Sequence, residues 1–282
     1  MGPPGLSGED AVEGQSLWLG ALRRPMRYLM IGLLVLTGLI WLWLVVGTLF
    51  LGSDVNMQTI LRPGDHTLVR VFLWFILATS LVTSLYLSDT RGAIEVEPTG
   101  PLDIFSLVLG RLAMIAVVVV VCVMFYEVVA RYIFSKPTLW ANEMSLWIAG
   151  FIFLLAGLYA MQQRSHIRIY VIYDLMPRWA RKTADTITVT LIWAFFISLL
   201  WGGYNEVVAK LLRMETFGTA WDPPLPATVK AAILVIIGLV ALQATSNLIA
   251  DWNKAPEHHG ADEVDEQEIE QIRKAVGANG NG

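Results

Sequence analysis

The chain has 282 residues, 55% of them hydrophobic and 16% charged, with a mean hydropathy of +0.57. Soluble globular domains carry about 25% charged residues, so this composition excludes that class and indicates an all-α integral membrane protein. The net charge of −4 gives no footprint for nucleic acid, because the acidic excess is concentrated in the tail from Asp262 to Glu270.

Taken from the N-terminus, residues 1–27 read as a cytoplasmic segment ending in Arg23, Arg24 and Arg27. The apolar run that follows, Tyr28 to Leu51, is longer than the roughly 7 to 15 residues of a signal-peptide core and lacks a nearby small-residue cleavage site. It is expected to be a retained helix. Gly2 starts no lipidation signal, since position 6 is Leu6. Spanning ~30 Å of hydrocarbon takes ~20 apolar residues, and five further runs qualify: Leu68 to Leu87, Phe105 to Tyr126, Met144 to Met161, Ile187 to Tyr204 and Ala227 to Ile249. All six are expected to be helices, because backbone in lipid must satisfy its own hydrogen bonds.

Residues 88–103 carry Gly92, Pro98, Gly100 and Pro101 among charged residues, the pattern of a linker. The expected organisation is an accessory helical pair (28–87), a cytoplasmic linker (88–103), a four-helix unit (104–252) and a cytoplasmic, disordered acidic tail (253–282). Within the third run, Cys122 is the single cysteine, so no intrachain disulfide can form. At its end Glu127 and Arg131 are one turn apart and can pair, as can Glu206 and Lys210 after the fifth run. Neither pair reads as buried enough for a proton relay.

The fourth run bears Ala149, Gly150, Ala156, Gly157 and Ala160, and the sixth bears Ala231, Gly238, Ala241 and Thr245. Small residues let helices approach closely in lipid, so these faces pack either within the chain or against a partner subunit. Between Arg164 and Lys182, five of the six charged side chains are basic, Asp174 being the exception. Short basic loops stay cytoplasmic, which puts both termini inside. By that crossing count, Lys and Arg as far as Lys254 number eleven on the inner side and seven on the outer. The stretch Ile167 to Met176 mixes apolar bulk with tyrosines and suits an amphipathic interfacial segment, with Arg164 and His166 at its boundary.

Trp140, Trp147, Trp179, Trp221 and Trp252 fall near helix ends, where an aromatic belt accounts for them. The four histidines, His66, His166, His258 and His259, do not face one another within the bilayer as haem ligation needs. No metal spacing, phosphate loop or catalytic triad is read, so no cofactor, metal or enzymatic activity is expected.

The order Arg131-Tyr-Ile-Phe-Ser-Lys-Pro137, Trp140-Ala-Asn-Glu143, Gly157-Leu-Tyr-Ala-Met-Gln-Gln-Arg164-Ser-His166-Ile167 and Leu175-Met-Pro177 resembles the small membrane subunit of TRAP (tripartite ATP-independent periplasmic) transporters, the DctQ-like family. The resemblance covers roughly Phe105 to Trp252. Asn142 precedes a lone Glu143 where the family often has two acidic residues, and Tyr170 stands where an acidic residue is common. The resemblance implies a bacterial inner-membrane scaffold that binds a large permease subunit. It further implies sodium-coupled symport of a small organic solute, a carboxylate, delivered by a periplasmic solute-binding protein. Candidate partner-docking or interface residues are Arg131, Lys136, Trp140, Asn142, Glu143, Gly150, Gly157, Arg164, His166 and Asp222. The outer loops 131–143 and 213–226 are expected to offer Lys136, Asn142, Glu143, Glu215 and Asp222 as exposed contacts. A free-standing transporter and a membrane anchor for a redox enzyme are the competing classes.

Overall fold

A computed structural model describes residues 16–90, 92, 95–164 and 176–253. The expected interfacial segment with His166, and the acidic tail, lie outside the described residues. After a single 3₁₀ turn, Gly20–Leu22, the helices are α1 (Arg23–Phe50), α2 (Met57–Leu61), α3 (Thr67–Ser88), α4 (Pro101–Tyr132), α5 (Trp140–Gln162), α6 (Arg178–Leu212) and α7 (Leu225–Asp251). Six of these are long and apolar enough to cross a membrane, and the described residues contain no strand. The chain is an all-α, multi-pass membrane protein.

Each expected apolar run is the middle of a longer helix. At ~1.5 Å per residue, the 35 residues of α6 extend for about 52 Å, well beyond the ~30 Å of hydrocarbon. The ends differ from the expectation because helical hydrogen bonding continues into the interface wherever nothing stops it. Local signals then set the boundaries. Gly100 is extended before Pro101 starts α4, and Pro177 caps α6. Arg164 adopts a left-handed φ of 53° just beyond α5, with its N–H donated to the Met161 carbonyl at 3.2 Å.

The helices form a row rather than a closed bundle. In space the order is α1, α3, α4, α5, α7, α6, with α4 and α7 also touching behind α5. α6 is an edge of this row, and none of its residues is buried. Close approach between neighbours rests on glycines. A side chain at Gly110 on α4 would run into the Tyr159 ring on α5, one at Gly150 on α5 would meet Val229 on α7 at 3.2 Å, and one at Gly238 on α7 would meet Phe196 on α6 at 3.1 Å. Gly157, by contrast, faces open space. The small-residue face of α5 is therefore split, with Gly150 used inside the chain and Gly157 left uncovered.

Candidate functional site: the two ends of the helical row

At the end where the basic loop joins α5 to α6, buried polar groups tie the helices together. Asp89 is fully buried and its Oδ1 accepts hydrogen bonds from the Ser16 hydroxyl at 3.0 Å and from the N–H groups of Trp18 and Leu19 at 2.8 Å. Arg23 pairs with its other oxygen at 3.2 Å. Glu95 accepts from Gly92 N–H at 2.7 Å, Arg111 at 2.6 Å and the Tyr159 hydroxyl at 2.6 Å. Burial pushes the Glu95 carboxyl up, but the bonds from Arg111, Gly92 and Tyr159 outweigh it and hold the group below the usual carboxylate range.

A second cluster is built around Gln243 on α7. Its amide nitrogen donates to Asp103 at 2.6 Å and to Asn247 at 3.0 Å, while its oxygen accepts from Ser106 at 2.8 Å. Asp103 also accepts from the Thr99 N–H at 2.9 Å and hydroxyl at 2.8 Å. Asn247 donates to the Met161 carbonyl at 2.7 Å, and Arg164 pairs with Asp251 at 2.6 Å. α4, α5 and α7 are thereby fixed to one another at this end. The described residues of 88–103 take part directly, since Val96 N–H also donates to Gln163 at 2.8 Å.

The opposite end is organised by Glu143 on α5. One carboxylate oxygen accepts from the Thr219 hydroxyl at 2.6 Å and from the N–H groups of Trp221 and Asp222 at 3.1 Å. Trp221 is buried, stands edge-on to Trp147 at 6.3 Å and donates its indole N–H to the Met57 carbonyl at 3.0 Å. Trp147 donates to Thr228 at 2.8 Å. Belt placement alone does not account for Trp147 and Trp221, because in an enclosed setting each indole N–H needs an acceptor and finds one. Gln58 donates to the Ala220 carbonyl at 3.2 Å, and Arg62 pairs with Asp222 at 2.9 Å. The connection between α1 and α3 is thus clasped to the connection between α6 and α7. Asp222 has a left-handed φ of 59°. The Gly218 N–H, then the Thr216 hydroxyl and Arg62, hold its carboxyl below the usual range.

Glu127 differs from the expectation of a shallow pair. Its side chain is 5% exposed, against 48% for Arg131, because Thr138 folds over it and donates both its N–H, at 3.0 Å, and its hydroxyl. Lys210 pairs with Glu215 at 2.7 Å and reaches Glu206 only at 3.6 Å, Glu206 being held by Lys230 at 2.6 Å. Lys210 keeps the Glu215 carboxyl below its ordinary range.

Of the sequence candidates at this end, Lys136 and Asn142 are exposed, and Trp140 stacks on Tyr126 at 5.7 Å. Asp222 has both oxygens engaged, by the Gly218 N–H and Arg62, and Glu143 has one oxygen engaged by the 219–222 loop. What projects carries both signs, with Asp54, Asp65 and Glu206 exposed among the cations. Arg213 is 70% exposed beside Glu215 at 35%, and Arg62 and Lys136 are exposed as well. Sequence reasoning missed Asp89, Glu95, Asp103 and Gln243. The available signal was a few lone polar residues at the margins of apolar helices, Ser106 and Gln243 above all.

Residues 120–254 match the family described as tripartite ATP-independent periplasmic transporters, DctQ component. A curated relative from Vibrio cholerae, described as "C4-dicarboxylate TRAP transporter small permease protein DctQ", is 30% identical over 81 residues. That alignment covers 29% of this chain and 35% of the relative, so the chain spans about a third of the relative's length. No solved structure matches.

Proposed function

We propose that this chain is the small membrane subunit of a TRAP transporter, on the premise that residues 120–254 match the family of DctQ components. In this reading it is a scaffold and not an enzyme. A large permease subunit binds it and carries the ion-coupled, sodium-driven uptake of a small organic solute, a carboxylate of the kind named for the relative. A periplasmic solute-binding protein delivers that solute. The family match is the observation that carries the reading. Six continuous membrane helices whose polar clusters sit at helix ends support it, since a self-sufficient secondary transporter is expected to build a polar site from broken helices near the midplane.

The chain sits in the bacterial inner membrane with both termini cytoplasmic. The end organised by Glu143 then faces the periplasm, and its exposed Arg62, Lys136 and Arg213 form the docking surface for the binding protein. The uncovered Gly157 on α5 suits contact with a permease helix. The two N-terminal membrane helices form an accessory layer that stabilises the scaffold through the Trp221–Met57 and Arg62–Asp222 contacts at one end and Asp89 at the other.

Orientation and docking are tested together by placing a cysteine at Lys136 in a Cys122→Ser background. A membrane-impermeant maleimide should label it once the outer membrane is permeable, and bound solute-binding protein should slow the labelling. Labelling only after the inner membrane is opened would overturn both assignments.

A further inference from the structure

Along the first half of α6, at the edge of the helical row, runs a groove of ≈ 460 Å³ lined by Trp179, Lys182, Thr183, Thr186, Leu191 and, from α7, Trp252 among others. We propose that this groove is a binding site for one anionic phospholipid, with its phosphate at Lys182 and an acyl chain along α6. The assignment does not depend on the transporter reading.

The wall of the groove is chemically apolar despite its threonines. Thr183, Thr186 and Thr190 each donate the hydroxyl to the carbonyl four residues earlier, at 2.9, 2.7 and 2.8 Å. Their donor capacity is spent on the helix, so the oxygens keep only acceptor lone pairs beside the methyl groups. No free hydroxyl donor is left among these three threonines for a polar solute, whereas hydrocarbon packs on their methyl groups without loss.

The mouth is different in character. The Lys182 ammonium stands 4.5 Å from the centroid of the Trp252 ring, and among the described residues no carboxylate lies within ion-pair distance of it. Asp251, the acidic residue beside Trp252, is engaged by Arg164 at 2.6 Å. Arg178, one turn before the half-buried Lys182, adds an exposed cation. Tryptophans at helix ends mark headgroup level, so the charge lies where a phosphate would be. From Trp179 to Leu191 the helix rises about 18 Å at ~1.5 Å per residue, close to half of the ~30 Å hydrocarbon thickness. An anionic head over a single leaflet's depth of apolar wall is the shape and charge of a phospholipid.

The test is native mass spectrometry of the full chain in detergent, titrated separately with palmitoyl-oleoyl phosphatidylglycerol and the matching phosphatidylcholine. One phosphatidylglycerol should bind more tightly than phosphatidylcholine. A cation near the membrane surface contributes about 1 kcal/mol per Lys or Arg, so Lys182→Gln should weaken phosphatidylglycerol by about fivefold and leave phosphatidylcholine unchanged. Thr186→Trp fills the groove and should abolish the tight site for both. Lys182 sits at the mouth rather than in the packing, so its variant remains decisive if Thr186→Trp does not fold. Equal affinity for the two lipids, or an unchanged preference in Lys182→Gln, would overturn the proposal. That second result is also what a partner helix lying in the groove would give.

Discussion

Replacing Gly110 with alanine puts a methyl group where α4 meets α5. The new Cβ would stand 2.8 Å from Tyr159 Cγ and 3.0 Å from its Cβ, and closer still to Cδ2. These atoms lie near the α5 backbone, and the far end of the ring is held by the hydroxyl bond to Glu95 at 2.6 Å. The ring cannot swing aside without breaking that bond. Overpacking of this kind costs about 1–3 kcal/mol, and a hydrogen bond to a charged group contributes about 1.5–3 kcal/mol. Against this, alanine favours helix over glycine by about 0.8–1 kcal/mol. The net expectation is destabilisation on the order of 2 kcal/mol, a fraction of total stability large enough to measure. Gly157→Ala meets nothing within 4 Å and should be neutral or slightly stabilising in the isolated chain. Equilibrium unfolding in mixed detergent micelles, followed by circular dichroism, compares the two. In a Tyr159→Ala background, itself destabilised by loss of the bond to Glu95, Gly110→Ala should add little further cost. If Gly110→Ala alone is as stable as the wild type, the reasoning about helix approach is wrong.

Gln243→Leu removes partners from Asp103, Ser106 and Asn247 at once. Each unsatisfied buried group costs about 1–3 kcal/mol, so a loss of roughly 2–5 kcal/mol is expected in the same unfolding assay. Glu143→Ala frees the 219–222 loop, and hydrogen exchange should show faster exchange at Trp221 and Asp222 with little change in α4. The Asp222 clasp should depend on pH in one direction only. Because its folded pKa is depressed, its contribution is complete above the ordinary aspartate pKa of ~3.9 and is lost as pH falls through the lower folded value. Protection of the Gly218 amide should therefore hold down to that pH and fail below it, whereas in Asp222→Asn it should be weakened throughout.

The six membrane helices were legible because their apolar runs have the length that a bilayer demands, and no tertiary information is needed to see that. The order of the helices in the row was not legible, because it depends on which glycine meets which side chain. Gly150 and Gly157 look alike in sequence, yet one packs on Val229 and the other on nothing. Glu127 and Arg131 were readable as a pair from their spacing, but the burial of Glu127 was not, since it comes from Thr138 across a turn. Segment 88–103 reads as a linker by composition. Its Asp89 and Glu95 are buried because Arg23, Arg111 and Tyr159, distant in sequence, reach them. Glu143 was singled out by motif, while its job of holding the 219–222 loop required seeing two loops brought together.

In the proposed function this chain is the scaffold half of a two-part membrane unit. The most direct measurement is binding-protein-dependent solute uptake into proteoliposomes that hold the large permease subunit, this chain, or both, with both proteins first tested for co-purification from detergent. The expected result is a stable complex, and uptake only when both are present with a solute-loaded binding protein. Uptake by this chain alone, or full uptake by the permease without it, would contradict the claim.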